Sequence, residues 1–316
     1  MKMKGPVTKK MSKSVVPIPP DLVSLPTIKA EPWFLVDPSP HTFLEGPAFD
    51  REGNLFLTSP PAGTVFKITP HQQLSTIFTD KNARVDGSAF HKDGRLFVVC
   101  LSGELLAMNP DGSQVNYMYP KYQGKTLSMN DLVFDAKGNI YVTDFTGTVM
   151  EPTGGVYRLS SDATIVQPVL QRLASPNGIS LSPEGNVLWV GETTRNTVLR
   201  IELLEDGVTP NPLDGVTYAY YSTGCPGGPD SNKVDAAGNL YQCLIFQGRA
   251  IVLNQRGIPV ANVVIPGRDE GKHLLTPNLA FKPGTSEAYI IAAGEGGAWV
   301  YRFQGLAVGL PLFSHQ

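Results

Sequence analysis

Charge, histidine and long apolar runs are all scarce in this chain of 316 residues, and each scarcity removes a class of function. Charged residues make up 17 % of it and the net charge is −2, with no basic block beyond the N-terminal lysines, so nucleic-acid binding has no electrostatic footing. No run of 18 apolar residues exists, so no membrane-spanning helix is expected. The N-terminal MKMKGPVTKKMSKSVVPIPPDL carries lysines but no apolar stretch of the signal-peptide kind, which places the protein in the cytoplasm as an expectation. Cys100, Cys225 and Cys243 are odd in number and lack CxxC spacing, which reads as free thiols in a reducing compartment. The five histidines, at 41, 71, 91, 273 and 315, are scattered and HExxH is missing, which argues against zinc. GxSxG, the P-loop and GxGxxG are absent too, leaving serine-triad and nucleotide chemistry without a motif. Gly, Pro, Asn and Asp recur too often to leave ten residues with a helical period.

What the chain has is repetition. Apolar segments run into a tight turn at Gly53, Gly94, Gly138, Gly185, Gly238 and Gly284, in FDREGNLF, FHKDGRLF, FDAKGNIY, LSPEGNVL, VDAAGNLY and the shorter FKPG. Successive turns lie 41 to 53 residues apart, the length of a four-stranded propeller blade. Each unit continues into a second strand such as LFLTS, LFVVC, IYVTD or VLWVG and a third such as TVFKI, GVYRL, TVLRI or RAIVL. The expectation is an all-β, six-bladed β-propeller over residues 28–316, preceded by a mobile extension, 1–27, that orders in part against the barrel edge. The strand-like AEPWFLV at 30–36 would complete the sixth blade and close the ring.

Eight residues before each turn glycine stand Glu45, Asp86, Asn130, Asn177, Asp230 and Thr276. Equivalent positions of blades converge on the axis, so five of these six would bring carboxylate or carboxamide oxygens to one channel. Asp and Asn are also favoured at strand entries for their own turn hydrogen bonds, which is the rival explanation, although it does not predict Glu45. Carboxylates meeting in a channel repel unless protonated or neutralised by a cation. Oxygen-only ligation suits Ca²⁺ best, Mg²⁺ or Mn²⁺ less well, and Zn²⁺ least. Asp131, Asp144, Glu192 and Ser231 lie near the column or at second-strand ends and could line the same mouth, with blade-bridging hydrogen bonds the alternative for Asp144 and Glu192. His273 and Asp269 fall in a loop before blade six, solvated or in contact with substrate. Trp189, Phe246 and Trp299 are expected to pack between blades.

The runs LEGPAFDREGNLFL, NDLVFDAKGNIYVTDFTG, SPNGISLSPEGNVLWVGETTRN, GPDSNKVDAAGNLY and IPGRDEG resemble the SMP-30/gluconolactonase/LRE-like family over roughly residues 28–310. The resemblance implies a six-bladed propeller with a divalent metal in its central channel, mostly acting as a lactonase. Carried over by motif, it implies Glu45, Asn177 and Asp230 as metal ligands, with Asn130 as a fourth ligand or a substrate contact and Ser231, which follows the blade-five ligand, counted in the metal set. Water attack on the ring carbonyl would then need a general base, Asp230 first and Asp131 second, while Asp86, Asn130, Asp144, Glu192 and His273 are candidate substrate contacts. Two other readings stand beside it: an organophosphate hydrolase using the same ion on P=O, and a non-catalytic binding propeller with a structural metal. The expected partner is a small lactone, with no nucleic acid and no membrane; nothing in the sequence dictates an oligomeric state.

Overall fold

The computed structural model describes residues 15–213, 215–224 and 227–315. Six sheets stand in a ring, and the described residues contain only two short 3-10 turns in place of helix. Blade one runs from the axis outward as Glu45–Phe49, Leu55–Ser59, Thr64–Ile68 and Leu74–Thr79. The inner strands of the other blades are Val85–Phe90, Met129–Phe134, Pro176–Leu181, Pro229–Val234 and Leu279–Phe281. In blade six the outer strand is Glu31–Asp37, which pairs antiparallel with Gly297–Gln304, so both ends of the chain share one sheet. Thr27–Lys29 adds a fifth strand, in parallel, to the outside of blade five. Ahead of it Val16 and Leu22 are buried, the Asn262 side chain donates to the Leu22 carbonyl at 3.0 Å, and Arg268 donates to the Val16 carbonyl. Residues 15–27, the described part of the expected extension, therefore lie packed on blade five; residues 1–14 fall outside the described residues.

The second strand of each blade is apolar almost without alternation because a neighbouring blade covers each of its faces. LFLTS, LFVVC, IYVTD, VLWVGE and LYQCL are buried at every residue, whereas the outer strands LSTIFT and VTYAYY are largely exposed. Burial on both faces divides the core into six clusters, one at each interface between successive blades. Trp189 lies fully inside the cluster between blades four and five, while Trp299 is partly buried in the one between five and six. Phe246 differs from expectation: it sits at a loop tip, 37 % exposed, with a left-handed φ of 64°. Cys100 and Cys243 are buried free thiols on second strands, and Cys225 lies outside the described residues.

All six turn glycines hold φ between 71° and 90°, the left-handed region that tolerates no side chain without strain. Three turns are locked further by an Asp–Asn pair: the side-chain amides of Asn54, Asn139 and Asn239 donate to Asp50, Asp135 and Asp235 at 2.6, 2.7 and 2.9 Å. The turns therefore fix the register of each inner strand, and with it the height of the strand's first residue along the channel.

Candidate active site at the axis

The inner strands of blades one to five share one irregularity. Pairing with the second strand slips between Glu45 and Ala48, Val85 and Ser88, Met129 and Leu132, Pro176 and Ile179, and Pro229 and Asn232. Asp86, Asn130, Asn177 and Asp230 are each the first residue inside such a bulge, and Glu45 is the equivalent residue of blade one. A bulge re-aims a side chain that regular pleating would send to the blade face. The residue after each is Gly46, Gly87, Asp131, Gly178 or Ser231. A Cβ on Gly46 would lie 2.4 Å from the Asp86 carbonyl oxygen, one on Gly87 2.6 Å from Asp131 Oδ1, and one on Gly178 2.4 Å from Ser231 Cα. Glycine at these three positions lets the inner strands of blades one, two and four approach their neighbours. Hydroxyls complete the seam: Thr58 and Thr143 donate to the carbonyls of Asp86 and Asn177 at 2.7 and 2.6 Å.

Blade six departs from this register. Phe281 ends its strand opposite Ala288, as Phe49 ends opposite Leu55, but Gly284 follows Phe281 by three residues where Gly53 follows Phe49 by four. Counting back from the glycine therefore lands one residue early. Pro277 takes the column position, and Thr276 turns its hydroxyl to the Leu244 carbonyl at 2.9 Å. Asn278 takes the second position, level with Asp131 and Ser231. Its amide donates to Glu45 Oε2 at 2.8 Å while its Oδ1 accepts from the Leu279 N–H at 2.8 Å. Aligning the units on the apolar residue that ends each inner strand (Phe49, Phe90, Phe134, Leu181, Val234, Phe281) instead of on the glycine reveals it.

The result is a buried acidic cluster. Glu45, Asp86 and Asp230 are 2 %, 3 % and 5 % exposed. Burial, aided by the nearby Asp131 carboxylate, pushes Glu45 up to about 7 against the pull of its bonds from Asn278 and Gly46. Burial, and then the Glu45 charge, hold Asp86 and Asp230 well above the usual carboxylate range. Asn177 hydrogen-bonds Asp230, and the Ser231 hydroxyl donates to Asn177 Oδ1 at 3.4 Å. Asp86 Oδ1 and Asn130 Oδ1 are buried without any hydrogen-bond partner. Unsatisfied buried oxygens beside crowded carboxylates are what an oxygen-ligated cation would relieve, so the residues present fit a hard divalent ion. Among the described residues no three His, Cys, Asp or Glu side chains form a metal-holding group by themselves. The fit therefore rests on a set that mixes carboxylates with the carboxamides of Asn130 and Asn177.

Asp131 faces a different neighbour. Its Oδ1 accepts from the Leu132 N–H at 2.9 Å, and its Oδ2 accepts from the Ile179 N–H at 3.4 Å and from Lys233 Nζ at 3.3 Å. Asp144 and Glu192 are engaged between and within blades. Asp144 accepts from the Ser128 N–H at 2.8 Å and from the Thr146 hydroxyl at 3.2 Å. Glu192 accepts from the Ala174 N–H at 2.6 Å and the Thr197 hydroxyl at 2.9 Å and pairs with Arg195 at 2.7 Å. His273 belongs to the rim of blade six, where its ring meets Tyr301 edge-on and burial lowers its pKa. Asp269 is 86 % exposed and pairs with Arg268. Below the acidic cluster a cavity of about 170 Å³ opens on the opposite face, lined by the far ends of the inner strands and floored by Leu310 and Phe313.

Comparison with known proteins agrees with this architecture. The SMP-30/Gluconolactonase/LRE-like region matches residues 42–274. Lactonase drp35 of Staphylococcus aureus is 41 % identical over 315 residues, covering 96 % of this chain and 95 % of its own. Two solved structures share the fold: a gluconolactonase of Xanthomonas campestris (TM-score 0.68, 22 % identity, 83 % and 86 % of the two chains) and a calcium-binding protein, regucalcin, of Agrobacterium tumefaciens (0.71, 16 %, 90 % and 98 %). With six blades, bulged inner strands that present an acid and amide column, and a match running from blade one into the loop before blade six, the chain belongs to the SMP-30/gluconolactonase/LRE-like family.

Proposed function

We propose that this protein is a lactone hydrolase that holds Ca²⁺ with Glu45, Asn177 and Asp230, and with Asn130 as a further oxygen. The observation that carries the reading is the buried cluster of Glu45, Asp86 and Asp230 with two orphaned oxygens, in a chain 41 % identical to a lactonase along nearly its whole length. When bound, the ion supplies Lewis-acid polarisation of a carbonyl oxygen, a contribution of several kcal/mol to charge stabilisation in the transition state. The chain's own residues do the rest. Asn278 and the Gly46 N–H fix one oxygen of Glu45 and leave Oε1 available. Asp230 is the carboxylate assigned to accept a proton from water, acting in the ionised form that a cation beside the cluster would favour. Water oxygen then bonds to the ring carbonyl carbon, the ring C–O bond breaks, and the proton ends on the departing alkoxide, giving a hydroxy acid. Asp86, with a free Oδ1 in the same cluster, is placed to orient the attacking water or the lactone ring.

The test is the substitution Asp230→Asn, read by acid release from a lactone and by calcium titration. Asp230→Asn is expected to lower kcat by at least about a thousandfold, in the range of a lost general base acting with a lost ligand charge. Retention of near-normal kcat would remove Asp230 from the base role.

A further inference from the structure

Lys233 interrupts an otherwise small-residue ring. The residue preceding the last one of each inner strand is Ala48, Ala89, Val133, Ser180, Lys233 or Ala280, and each lies opposite an aromatic of the second strand: Phe56, Phe97, Tyr141, Trp189, Tyr241 or Tyr289. All six belong to the wall of the lower cavity. Five are too short to reach far into the channel. The sixth, from blade five, extends its amine to the Asp131 carboxylate of blade three, at 3.3 Å, with only 17 % of its side chain exposed. That amine therefore reaches past the inner strand of blade four, whose Ile179 N–H meets the same Asp131 oxygen.

We infer that Lys233 is a positioning residue for the reaction: by binding Asp131 Oδ2 it holds that carboxylate out of the reacting group. Three donors then share the two oxygens of Asp131, the N–H groups of Leu132 and Ile179 and the Lys233 amine. Asp230 is left as the acid able to move a proton. A lysine in the channel also brings a fixed positive charge to a cluster of four acids, offsetting part of their mutual repulsion. The bland alternative is that Lys233 merely shields a buried Asp131, with no bearing on catalysis.

The inference rests on the lactone-hydrolase reading, and a double-mutant cycle separates the two. Lys233→Met, Asp131→Asn and the double variant are compared by urea unfolding midpoint and by kcat and KM on a lactone. A positioning role predicts that Lys233→Met lowers kcat at least about tenfold while KM moves less than about threefold, and that the same substitution costs less than about threefold once residue 131 is Asn. Lys233→Arg, which keeps charge and reach, is expected to restore kcat to within about threefold of the parent. Simple addition of the two single effects on kcat, or an unchanged kcat in Lys233→Met, would overturn the inference. Should Lys233→Met fail to fold, folding of the double variant supports the coupling, and a folded Lys233→Arg that has lost its activity refutes it. Absence of lactone turnover in the parent protein would overturn the functional reading and with it a role for Lys233 in that reaction, whereas an active parent with an unchanged kcat in Lys233→Met would overturn the inference alone.

Discussion

Glu45 carries two donors on one carboxylate oxygen, a buried position and three acidic neighbours, and these set how the protein answers pH. Its folded-state pKa of about 7 lies above the ordinary value of 4.5, and Asp86 and Asp230 shift in the same direction. A carboxyl with a raised folded-state pKa binds its proton more tightly in the native protein than in the unfolded chain. The stability it contributes is fully present below the unfolded pKa and is lost as pH rises through the folded one. For Glu45 that window runs from about 4.5 to about 7, worth on the order of 3 kcal/mol. Metal-free protein should thus unfold more easily at pH 8 than at pH 5, and calcium should flatten that slope. Urea midpoints with chelator and with calcium check this; a chelated protein as stable at pH 8 as at pH 5 would count against the acidic cluster. Glu45→Gln should weaken calcium affinity by at least about tenfold, since it removes a ligand charge; an unchanged titration would exclude Glu45 as a ligand.

The bulged start of the inner strand is the element that makes the site, and its glycines are part of it. Gly87→Ala would put a methyl 2.6 Å from Asp131 Oδ1 and 2.7 Å from the Asn130 carbonyl, with backbone on one side and a pinned carboxylate on the other. A destabilisation of about 1–3 kcal/mol is expected from such overpacking, with loss of activity because residues 130 and 131 are displaced together. Gly94→Ala serves as the control: its Cβ would meet nothing within 4 Å, so only the strain of φ 90° applies and the axis is untouched. Equal losses of activity in the two variants would show that the close approach at Gly87 is unimportant. The blade repeat was legible because turn glycines and doubly covered second strands leave strong local patterns. The column residues were legible wherever the turn kept its length. Asn278 was not, because a single missing turn residue after Phe281 breaks the count from the glycine. Lys233 was hidden for a different reason: its contact with Asp131 spans 102 positions and two blades, and no local pattern encodes it.

At the scale of the whole molecule, six interfaces of similar make-up hold the ring, so a loss at any one of them reaches all the others. The interface between blades six and one depends on Trp33, Phe34 and Val36 of the strand Glu31–Asp37, which lies far in sequence from its partner Gly297–Gln304. Removing residues before 38 should therefore cost far more than the strand's own burial, because it leaves the edge of Gly297–Gln304 exposed and open to aggregation. Size-exclusion profiles and thermal melts of the truncated chain test this, and a monomeric truncation with an unshifted melt would contradict it. In the proposed function the ring holds an ion and a carboxylate base at its axis. The most direct test is acid release from a panel of γ- and δ-lactones, measured with chelated protein and again after calcium is added back. Turnover that vanishes on chelation and returns with calcium, while circular dichroism stays constant, is the predicted result. No lactone hydrolysis by folded, calcium-loaded protein would contradict the functional assignment.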